Sequence, residues 1–354
     1  MPYKKKLLLF DNCLIGTCNM HCRYCRNDNI TVSVKDLNEL EHSLERVSLL
    51  AQGAFDIPII KISGYGEIFL LPNILKILKA LSKSYERIQV ITNATLLSKD
   101  IISRLSKIPG IDVCVSLDGH TPELNASRTT NSLLIKKVLN NISRLRDYKI
   151  PVEVNSVLTK YNISGFIEFI NYLSDRYDSL TCYPFPARGS ASLSALGPQN
   201  TKKLLPLVDS YQRFSNVLPP IQYIKRLLSF INESARRDKC YVGYVNLGLE
   251  PDGNIPVCAC SIKTPLGNIF EQDTVRALKK IKLSPILHKF LFKELSFENC
   301  SGCFTHYEVI NLFLDGTITL DEIKKIPLFG GQRTQKNLQA LKKQLSLFCK
   351  IPKK

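Results

Sequence analysis

The chain has 354 residues, of which 44% are hydrophobic and 22% are charged, a composition typical of a globular protein that excludes a mainly disordered or collagen-like chain. It contains no run of about 18 apolar residues, so no membrane-spanning helix is predicted. Lys and Arg outnumber Asp and Glu by 48 to 31, which gives a formal net charge of +17.

The first half of the chain alternates apolar, β-branched runs with segments of helical periodicity. In the first helical segment, Leu37, Leu40, Leu44 and Val47 are spaced three or four residues apart. Strands are predicted at 6–14, 57–63, 88–92, 111–117, 151–158 and 179–184. Six β-then-α units indicate a parallel sheet covered by helices, and both a partial (β/α)6 barrel and a doubly wound sheet fit them.

The pattern changes after about residue 185. The segment 187–200 is small and polar and predicts a loop, and a helix is predicted near 219–236. A hairpin is predicted within 241–260, with its turn at Pro251-Asp252-Gly253-Asn254. A basic helix is predicted over 273–293. The chain ends in an amphipathic helix with one apolar face, formed by Leu338, Leu341, Leu345 and Phe348.

Positive charge is concentrated towards the carboxyl end, where residues 271–354 contain 15 basic and eight acidic side chains. Such a surface favours an anionic partner, although a basic surface that is merely solvated fits equally well. Few aromatic residues alternate with the basic ones in this tail, which disfavours a nucleic-acid partner.

The apolar run at the start, Leu7–Phe10, is too short for the core of a signal peptide. We therefore expect a cytoplasmic protein, in which the 12 cysteines indicate metal or redox sites rather than a disulfide framework. Four cysteines stand alone in the sequence and are predicted to be small buried hydrophobic residues: Cys13, Cys114, Cys182 and Cys349.

Three cysteines follow the first predicted strand in the pattern Cys-x3-Cys-x2-Cys. Thiolates as close as those of Cys18, Cys22 and Cys25 can surround one soft metal centre. A four-iron cluster held by three cysteines keeps one iron open for a further ligand, as a catalytic zinc keeps one position open. The alternative is a structural zinc site with His21 as its fourth ligand.

This segment, with an aromatic residue before the last cysteine, resembles the radical S-adenosylmethionine (SAM) superfamily, and the resemblance extends over roughly residues 6–185. It implies an α/β fold in the form of a partial (β/α)6 TIM-like barrel. It also implies that the three cysteines ligate a 4Fe–4S cluster, that the open iron chelates SAM and that Tyr24 lies against the adenine. SAM is then cleaved reductively to a 5′-deoxyadenosyl radical, which abstracts a hydrogen atom from the substrate.

The next strand ends match the same superfamily. Ser63-Gly64-Tyr65-Gly66-Glu67 resembles its GGE segment, although Ile68 stands in place of the usual Pro. The resemblance implies that Gly64 and Gly66 let the backbone approach the ligand and that Glu67 binds the SAM ammonium.

Three later strand ends also correspond. Thr92-Asn93-Ala94 resembles the superfamily's Thr-Asn-Gly, with Ala in place of Gly. Ser116 and Arg128 correspond to residues that contact SAM, the Arg through the SAM carboxylate. The strand that contains Asn155 has a counterpart that lines the ribose and adenine.

A second group of cysteines, Cys240, Cys258, Cys300 and Cys303, resembles the small Twitch/SPASM-like domain that follows such barrels. Four cysteines suit one auxiliary 4Fe–4S cluster, and Cys260 is a spare that could replace one of them. The alternative is a four-cysteine structural zinc. The predicted domains are a barrel (1–190), a linker and helix (191–236), an auxiliary-cluster domain (237–310) and a basic helical tail (311–354).

The resemblance thus implies a radical SAM oxidoreductase or maturase that oxidises or cross-links a peptide or small metabolite with help from the auxiliary cluster. It implies a flavodoxin- or ferredoxin-type reductant and no membrane partner. Two alternatives stay open. One is a radical SAM epimerase or methyltransferase-like enzyme, with a lone cysteine as hydrogen donor, and the other is a non-enzymatic zinc- or nucleic-acid-binding protein.

Overall fold

The computed structural model describes residues 4–25, 37–64, 66–187, 196–258, 262–271, 273, 276, 278 and 301–348. Its main feature is a sheet of seven parallel strands. In sheet order these strands are β8 (Thr181–Pro186), β7 (Val152–Leu158), β6 (Ile111–Ser116), β5 (Arg87–Thr92), β4 (Ile59–Gly64), β2 (Leu9–Ile15) and β9 (Asn246–Leu249). Two small pairs lie outside it: β1 (Lys5–Lys6) with β3 (Phe55–Asp56), and β10 (Asn254–Cys258) with β11 (Ile262–Asn268).

Helices connect the strands and complete the carboxyl-terminal part. They are α1 (Leu37–Ala54), α2 (Ile74–Leu81), α3 (Lys99–Leu105), α4 (Ser132–Asp147), α5 (Phe166–Arg176), α6 (Pro198–Leu204), α7 (Pro206–Asp209), α8 (Tyr211–Phe214), α9 (Ile221–Glu233), α10 (Val242–Val245), α11 (Glu308–Leu314), α12 (Leu320–Ile323) and α13 (Gln332–Phe348). Short 3-10 helices occupy Ile68–Leu70, Ile163–Gly165 and Pro327–Phe329. Within the described residues, none of the helices is both long and apolar enough to cross a membrane.

Strand order decides between the two predicted folds. The strands β2, β4, β5, β6, β7 and β8 are neighbours in the order in which they occur along the chain. A doubly wound sheet would instead reverse its direction at a switch point. The sheet curls into a half-barrel, so the predicted partial (β/α)6 TIM-like barrel is confirmed.

The sheet is covered by helices that bury one apolar face. All seven residues of β7 are buried, as expected for a parallel strand with both faces covered. Helix α5 buries Phe166, Phe169, Ile170 and Leu173, whose spacing follows the helical repeat. Each such side chain contributes roughly 1.5–3 kcal/mol when it is fully buried. The alternating pattern that predicted these elements therefore also stabilises them.

The predicted hairpin at 241–260 is partly wrong. The turn forms, and Gly253 has a φ of +80° there, a conformation that favours glycine. The strand before the turn, β9, however, pairs in parallel with β2 and extends the main sheet. The antiparallel partner of β10 is β11, which follows it. The edge of β2 that does not pair with β4 has free backbone hydrogen-bonding groups, and β9 pairs with them. Local sequence patterns do not encode such a long-range pairing.

The predicted terminal helix is α13, in which Leu338, Leu341 and Leu345 are buried. Cys13, Cys114 and Cys182 are also buried, as predicted. Several predictions lie outside the described residues, namely those for Cys260, Cys300, Cys349, the side chain of Phe348, the loop at 188–195 and most of the basic helix at 273–293.

Candidate active site

The loop that carries the first three cysteines leaves the carboxyl end of β2 and lies across the neighbouring strand ends. The backbone N–H of Glu67 donates to the carbonyl of Thr17 at 2.8 Å, and that of Arg23 donates to the carbonyl of Ser127, also at 2.8 Å. Cys18, Cys22 and Cys25 are all half-buried in this loop. The loop is therefore fixed to the strand ends by main-chain hydrogen bonds.

Two predicted glycines allow this close packing. A Cβ on Gly64 would lie 2.6 Å from the carbonyl oxygen of Ile15, and one on Gly66 would lie 2.4 Å from that of Thr17. Gly64 also has a φ of +142°, which side chains rarely tolerate. The approach of these glycines to the ligand stays a prediction, and the structure shows them packed against the end of β2 and the start of the cysteine loop. These glycines allow the end of β4 to pack against the segment from which the cysteine loop starts.

Glu67 is buried at the same strand end, and its carboxylate accepts three hydrogen bonds from the chain. Their donors are the Thr92 hydroxyl at 2.7 Å, the Asn93 N–H at 2.7 Å and the Phe69 N–H at 3.2 Å. Burial raises the pKa of Glu67, and these donors oppose the rise. The carboxylate thus joins the ends of β4 and β5. In the predicted contact, the SAM ammonium would share this carboxylate with the three donors from the chain.

Asn93 connects the end of β5 to the cysteine loop. Its side-chain amide donates to the side-chain oxygen of Asn19 at 2.9 Å and lies 3.9 Å from the Cys18 sulfur. Thr95 completes the group, since its hydroxyl donates to Asn93 and accepts from Asn19. Asn93 therefore lies at the predicted site, beside the first cysteine.

Arg128 and Tyr24 share a carboxylate to which the sequence analysis gave no role. Asp118 accepts from the Tyr24 hydroxyl at 2.5 Å and from the Val157 N–H at 2.9 Å, and Arg128 lies 3.3 Å from the same carboxylate. The Arg128 guanidinium also lies 3.8 Å from the Cys22 sulfur and 5.5 Å from the centre of the Tyr24 ring. The sequence contains a signal for a functional role of Asp118, because this residue directly follows a predicted strand.

The remaining predicted residues lie side by side on neighbouring strands. Ser116 and Asn155 are register partners on β6 and β7. Met20, Asn93, Ser116 and Arg128 line one cavity, so the structure brings four strand or loop segments together there.

Some buried polar atoms at this site lack a partner within the described part of the chain. They are the Asn155 side-chain carbonyl oxygen, the Arg128 Nε and the Ser127 hydroxyl. Buried polar groups are nearly always hydrogen-bonded, so these atoms have capacity for a polar ligand.

The donor set of this loop is three half-buried thiols. Cysteine thiolates are the usual ligands of iron–sulfur clusters, so this set suits such a cluster. Burial raises the pKa of the Cys18 and Cys22 thiols, so their thiolates require a positive centre. Asn93 and Arg128 direct N–H groups at these two sulfurs.

Comparison with known proteins agrees with this geometry. Residues 13–173 match the Radical SAM superfamily, and this segment contains every predicted SAM-site residue. Residues 13–173 are a radical SAM domain. Members of this superfamily are enzymes that use a 4Fe–4S cluster and SAM.

Two relatives and one solved structure of similar fold extend the comparison beyond residue 173. The subtilosin biosynthesis protein AlbA of Bacillus subtilis is 24% identical over 285 residues, which cover 78% of this chain and 59% of AlbA. Neomycin C epimerase of Streptomyces fradiae is 26% identical over 67% of this chain and 72% of its own. SuiB of Streptococcus suis, in a crystal structure with its precursor peptide SuiA, has a TM-score of 0.59 at 15% identity, covering 84% of this chain and 70% of that one. The present chain thus spans about three fifths of AlbA.

The second group of cysteines lies around the amino end of α11. The Cys240 sulfur accepts from the side-chain amide of Asn311 at 3.6 Å. Arg236 lies close to both Cys240 and Cys303 and donates from its Nε to the Cys303 carbonyl at 2.8 Å. Cys258 ends β10 and lines a small cavity with Tyr307. Cys300 lies outside the described residues.

Proposed function

We propose that this radical SAM enzyme abstracts a hydrogen atom from a peptide or small metabolite, which is then oxidised or cross-linked with help from an auxiliary 4Fe–4S cluster. The observation that carries the proposal is the set of three thiols fixed to strand ends, which also present polar atoms that have no partner within the described part of the chain. The reductant would be of the flavodoxin or ferredoxin type. Twelve cysteines and oxygen-sensitive clusters suit the reducing cytoplasm.

Each residue has a definite role in this proposal. Cys18, Cys22 and Cys25 hold the cluster, which supplies the electron for SAM cleavage. Arg128 faces the SAM carboxylate, and Asp118 fixes the guanidinium in that position. Tyr24, Ser116 and Asn155 line the adenosine part. Glu67 orients the ends of β4 and β5, and its remaining acceptor capacity receives the SAM ammonium.

A peptide is the substrate class that the comparisons favour. AlbA is named for the biosynthesis of a bacteriocin, and SuiB was crystallised with a precursor peptide. The net charge of +17 suits an acidic peptide segment.

We also propose that the chain divides as its sequence indicates. The SAM site lies within residues 1–190, and the auxiliary cluster lies within 237–310, where it is held by Cys240, Cys258, Cys300 and Cys303. Support comes from the environment of Cys240 and Cys303, which lie near one another beside Arg236. A cluster in this position would accept the electron that leaves the substrate radical.

Epimerisation is a second candidate, because the similarity to neomycin C epimerase covers more than two thirds of both chains. The two reactions differ in their mass balance. Oxidation or cross-linking removes two hydrogens from the substrate, whereas epimerisation removes one hydrogen and returns another, which comes from solvent through an exchangeable donor.

One experiment separates these functions. Anaerobically reconstituted protein is incubated in deuterated water with SAM, a chemical reductant and synthetic peptides encoded beside its gene, and the products are analysed by mass spectrometry. Loss of two hydrogens supports the main proposal, and gain of one deuterium supports epimerisation. Failure to form 5′-deoxyadenosine under any condition would refute both. Cys258→Ala and Cys303→Ala variants should still cleave SAM without a coupled product.

A further inference from the structure

A charged cluster lies beside the proposed auxiliary site, and it is built on two residues of α11. Glu308 and Asn311 are both fully buried and lie one helical turn apart, so they face the same side. The Glu308 carboxylate is shared by two guanidiniums, Arg226 at 2.9 Å and Arg236 at 2.5 Å. We call Glu308, Asn311, Arg226 and Arg236 the Glu308 cluster.

The Glu308 cluster binds both chain segments that carry auxiliary cysteines. Arg236 binds the Cys303 segment through two hydrogen bonds. Its Nε donates to the Cys303 carbonyl at 2.8 Å, and its backbone N–H donates to the Ser301 carbonyl at 2.7 Å. Asn311 binds the Cys240 segment, because its side-chain oxygen accepts a hydrogen bond from the Tyr241 N–H at 2.8 Å. Two cysteines that are 63 positions apart in the sequence are held together by these contacts.

Asn311 also contacts one of the cysteine sulfurs. The Asn311 amide donates to the Cys240 sulfur at 3.6 Å, and it is oriented by a second hydrogen bond to Glu308 at 3.1 Å. The Arg236 guanidinium lies next to this amide, because it donates to the same Glu308 oxygen as Asn311 and also to the Cys303 carbonyl. The environment of Cys240 therefore combines an N–H donor with a nearby cation.

We propose that Asn311 and Arg236 raise the reduction potential of the auxiliary cluster bound at Cys240 and Cys303, and so fit it to accept an electron from the substrate. This inference rests on the proposed function, because it requires a cluster at these cysteines. Reduction adds negative charge to the cluster and its thiolates. Hydrogen bonds to the sulfurs and adjacent positive charge stabilise that charge and make reduction more favourable.

Arg226 provides a matched control within the same cluster. It pairs with the same carboxylate as Arg236, and the two side chains are similarly buried, 13% and 9% exposed. Arg226 binds the other carboxylate oxygen and reaches Asp315 and Asp238 rather than the cysteine segments. A role limited to holding Glu308 would make the two arginines equivalent, whereas a role at the sulfurs would not.

The test is a redox titration of the full-length protein that carries Cys18→Ala, Cys22→Ala and Cys25→Ala, so that the auxiliary cluster is measured alone. Iron content is determined first. Protein without iron in this background would refute the auxiliary cluster itself, before any potential is measured. The reduction potential is then followed by EPR in this background and in the same background with Arg236→Gln, Arg236→Lys, Asn311→Ala or Arg226→Gln.

We expect Arg236→Gln to reduce the ratio of reduced to oxidised cluster at a fixed potential about tenfold, which is a shift of about 59 mV for one electron. Asn311→Ala should give a smaller shift in the same direction, and Arg236→Lys, which retains the charge, a shift smaller than that of Arg236→Gln. Arg226→Gln should leave the potential unchanged. Equal shifts in Arg226→Gln and Arg236→Gln, or unchanged potentials in all variants that retain iron, would overturn the proposal. Loss of iron from all the Arg236 and Asn311 variants, with Arg226→Gln intact, would show a purely structural role and would also overturn it.

Discussion

The two ends of the half-barrel use similar charged contacts for different purposes. At the carboxyl ends of the strands, Asp118 binds Arg128 and Tyr24, and the Arg128 Nε is left without a partner among the described residues. At the amino ends, Asp56 and Glu86 bind Arg333 and thereby fix α13. Every side-chain nitrogen of Arg333 has an acceptor in the chain.

The two arginines differ in how fully the chain satisfies their hydrogen bonds. Both arginines are paired with a carboxylate, so pairing does not distinguish them. What distinguishes them is the Arg128 Nε, which has no partner among the described residues, whereas every side-chain nitrogen of Arg333 has an acceptor. A ligand that supplies the missing partners restores the usual satisfaction of buried polar groups.

The largest effect is expected for Asp118→Asn. This change leaves the Arg128 guanidinium, which is only 10% exposed, without its carboxylate. Removing one partner of a buried ion pair lowers the free energy of unfolding by about 3–5 kcal/mol. Urea denaturation measures it, with the exposed Asp175→Asn as the control, for which a change within about 0.5 kcal/mol is expected. Equal effects of both changes would contradict the buried pair.

Arg128→Gln and Arg333→Gln should separate ligand binding from anchoring. A hydrogen bond to a charged group contributes about 1.5–3 kcal/mol, so Arg128→Gln should weaken SAM binding roughly 10- to 150-fold, with iron content unchanged. Arg333→Gln should lower the urea midpoint and leave SAM affinity unchanged. Titration of SAM into reconstituted protein checks both. The contrast between the two ends fails if both variants lose SAM affinity equally.

The amino-end anchor should weaken in acid. Although burial opposes it, hydrogen bonds from the Arg333 and Thr334 backbones lower the pKa of Glu86, and hydrogen bonds from Lys6 and Arg333 similarly lower the pKa of Asp56. A depressed pKa in the folded state stabilises the protein above the ordinary carboxyl pKa, and this stabilisation disappears as the pH falls.

The matching experiment compares wild type with Glu86→Gln. The difference between their free energies of unfolding should have its full size above pH 4.5, the ordinary pKa of Glu, and should decrease as the pH falls below that value. Urea midpoints measured across this range check the prediction. A difference that grows as the pH falls would contradict the assigned direction.

The smallest effect is expected at Ala94, which has a φ of +59° where the superfamily has Gly. Ala94→Gly relieves about 1 kcal/mol of backbone strain but removes a buried methyl group worth about 0.8 kcal/mol. The two terms nearly cancel, so the urea midpoint should scarcely move. A loss above about 2 kcal/mol would show that the methyl group has a packing role beyond its buried area.

The elements of the barrel could be predicted from the sequence because they depend on local periodicity. All six barrel strands and the buried face of α13 lie where the apolar spacing places them. The cysteine loop and its strand ends were also predictable, because parallel strands bring their carboxyl ends to one edge.

What could not be predicted depends on contacts between distant segments. The pairing of β9 with β2 joins residues more than 200 positions apart. The sequence does not indicate the carboxylate partner of Arg128, nor the three chain donors from which Glu67 accepts. The roles of Glu308 and Asn311 likewise arise only when α11 meets the two cysteine segments.

The central claim is that Cys18, Cys22 and Cys25 hold the cluster that binds and cleaves SAM. The most direct test compares the wild-type protein with the variant in which all three are Ala, by iron analysis, by EPR of the reduced protein with and without SAM, and by assay of 5′-deoxyadenosine. The wild type should contain about 8 Fe per chain, by the stoichiometry of two 4Fe–4S clusters, and SAM should change its EPR signal. The variant should retain about half of that iron, show no response to SAM and form no 5′-deoxyadenosine. A variant that still responds to SAM or cleaves it would contradict the account.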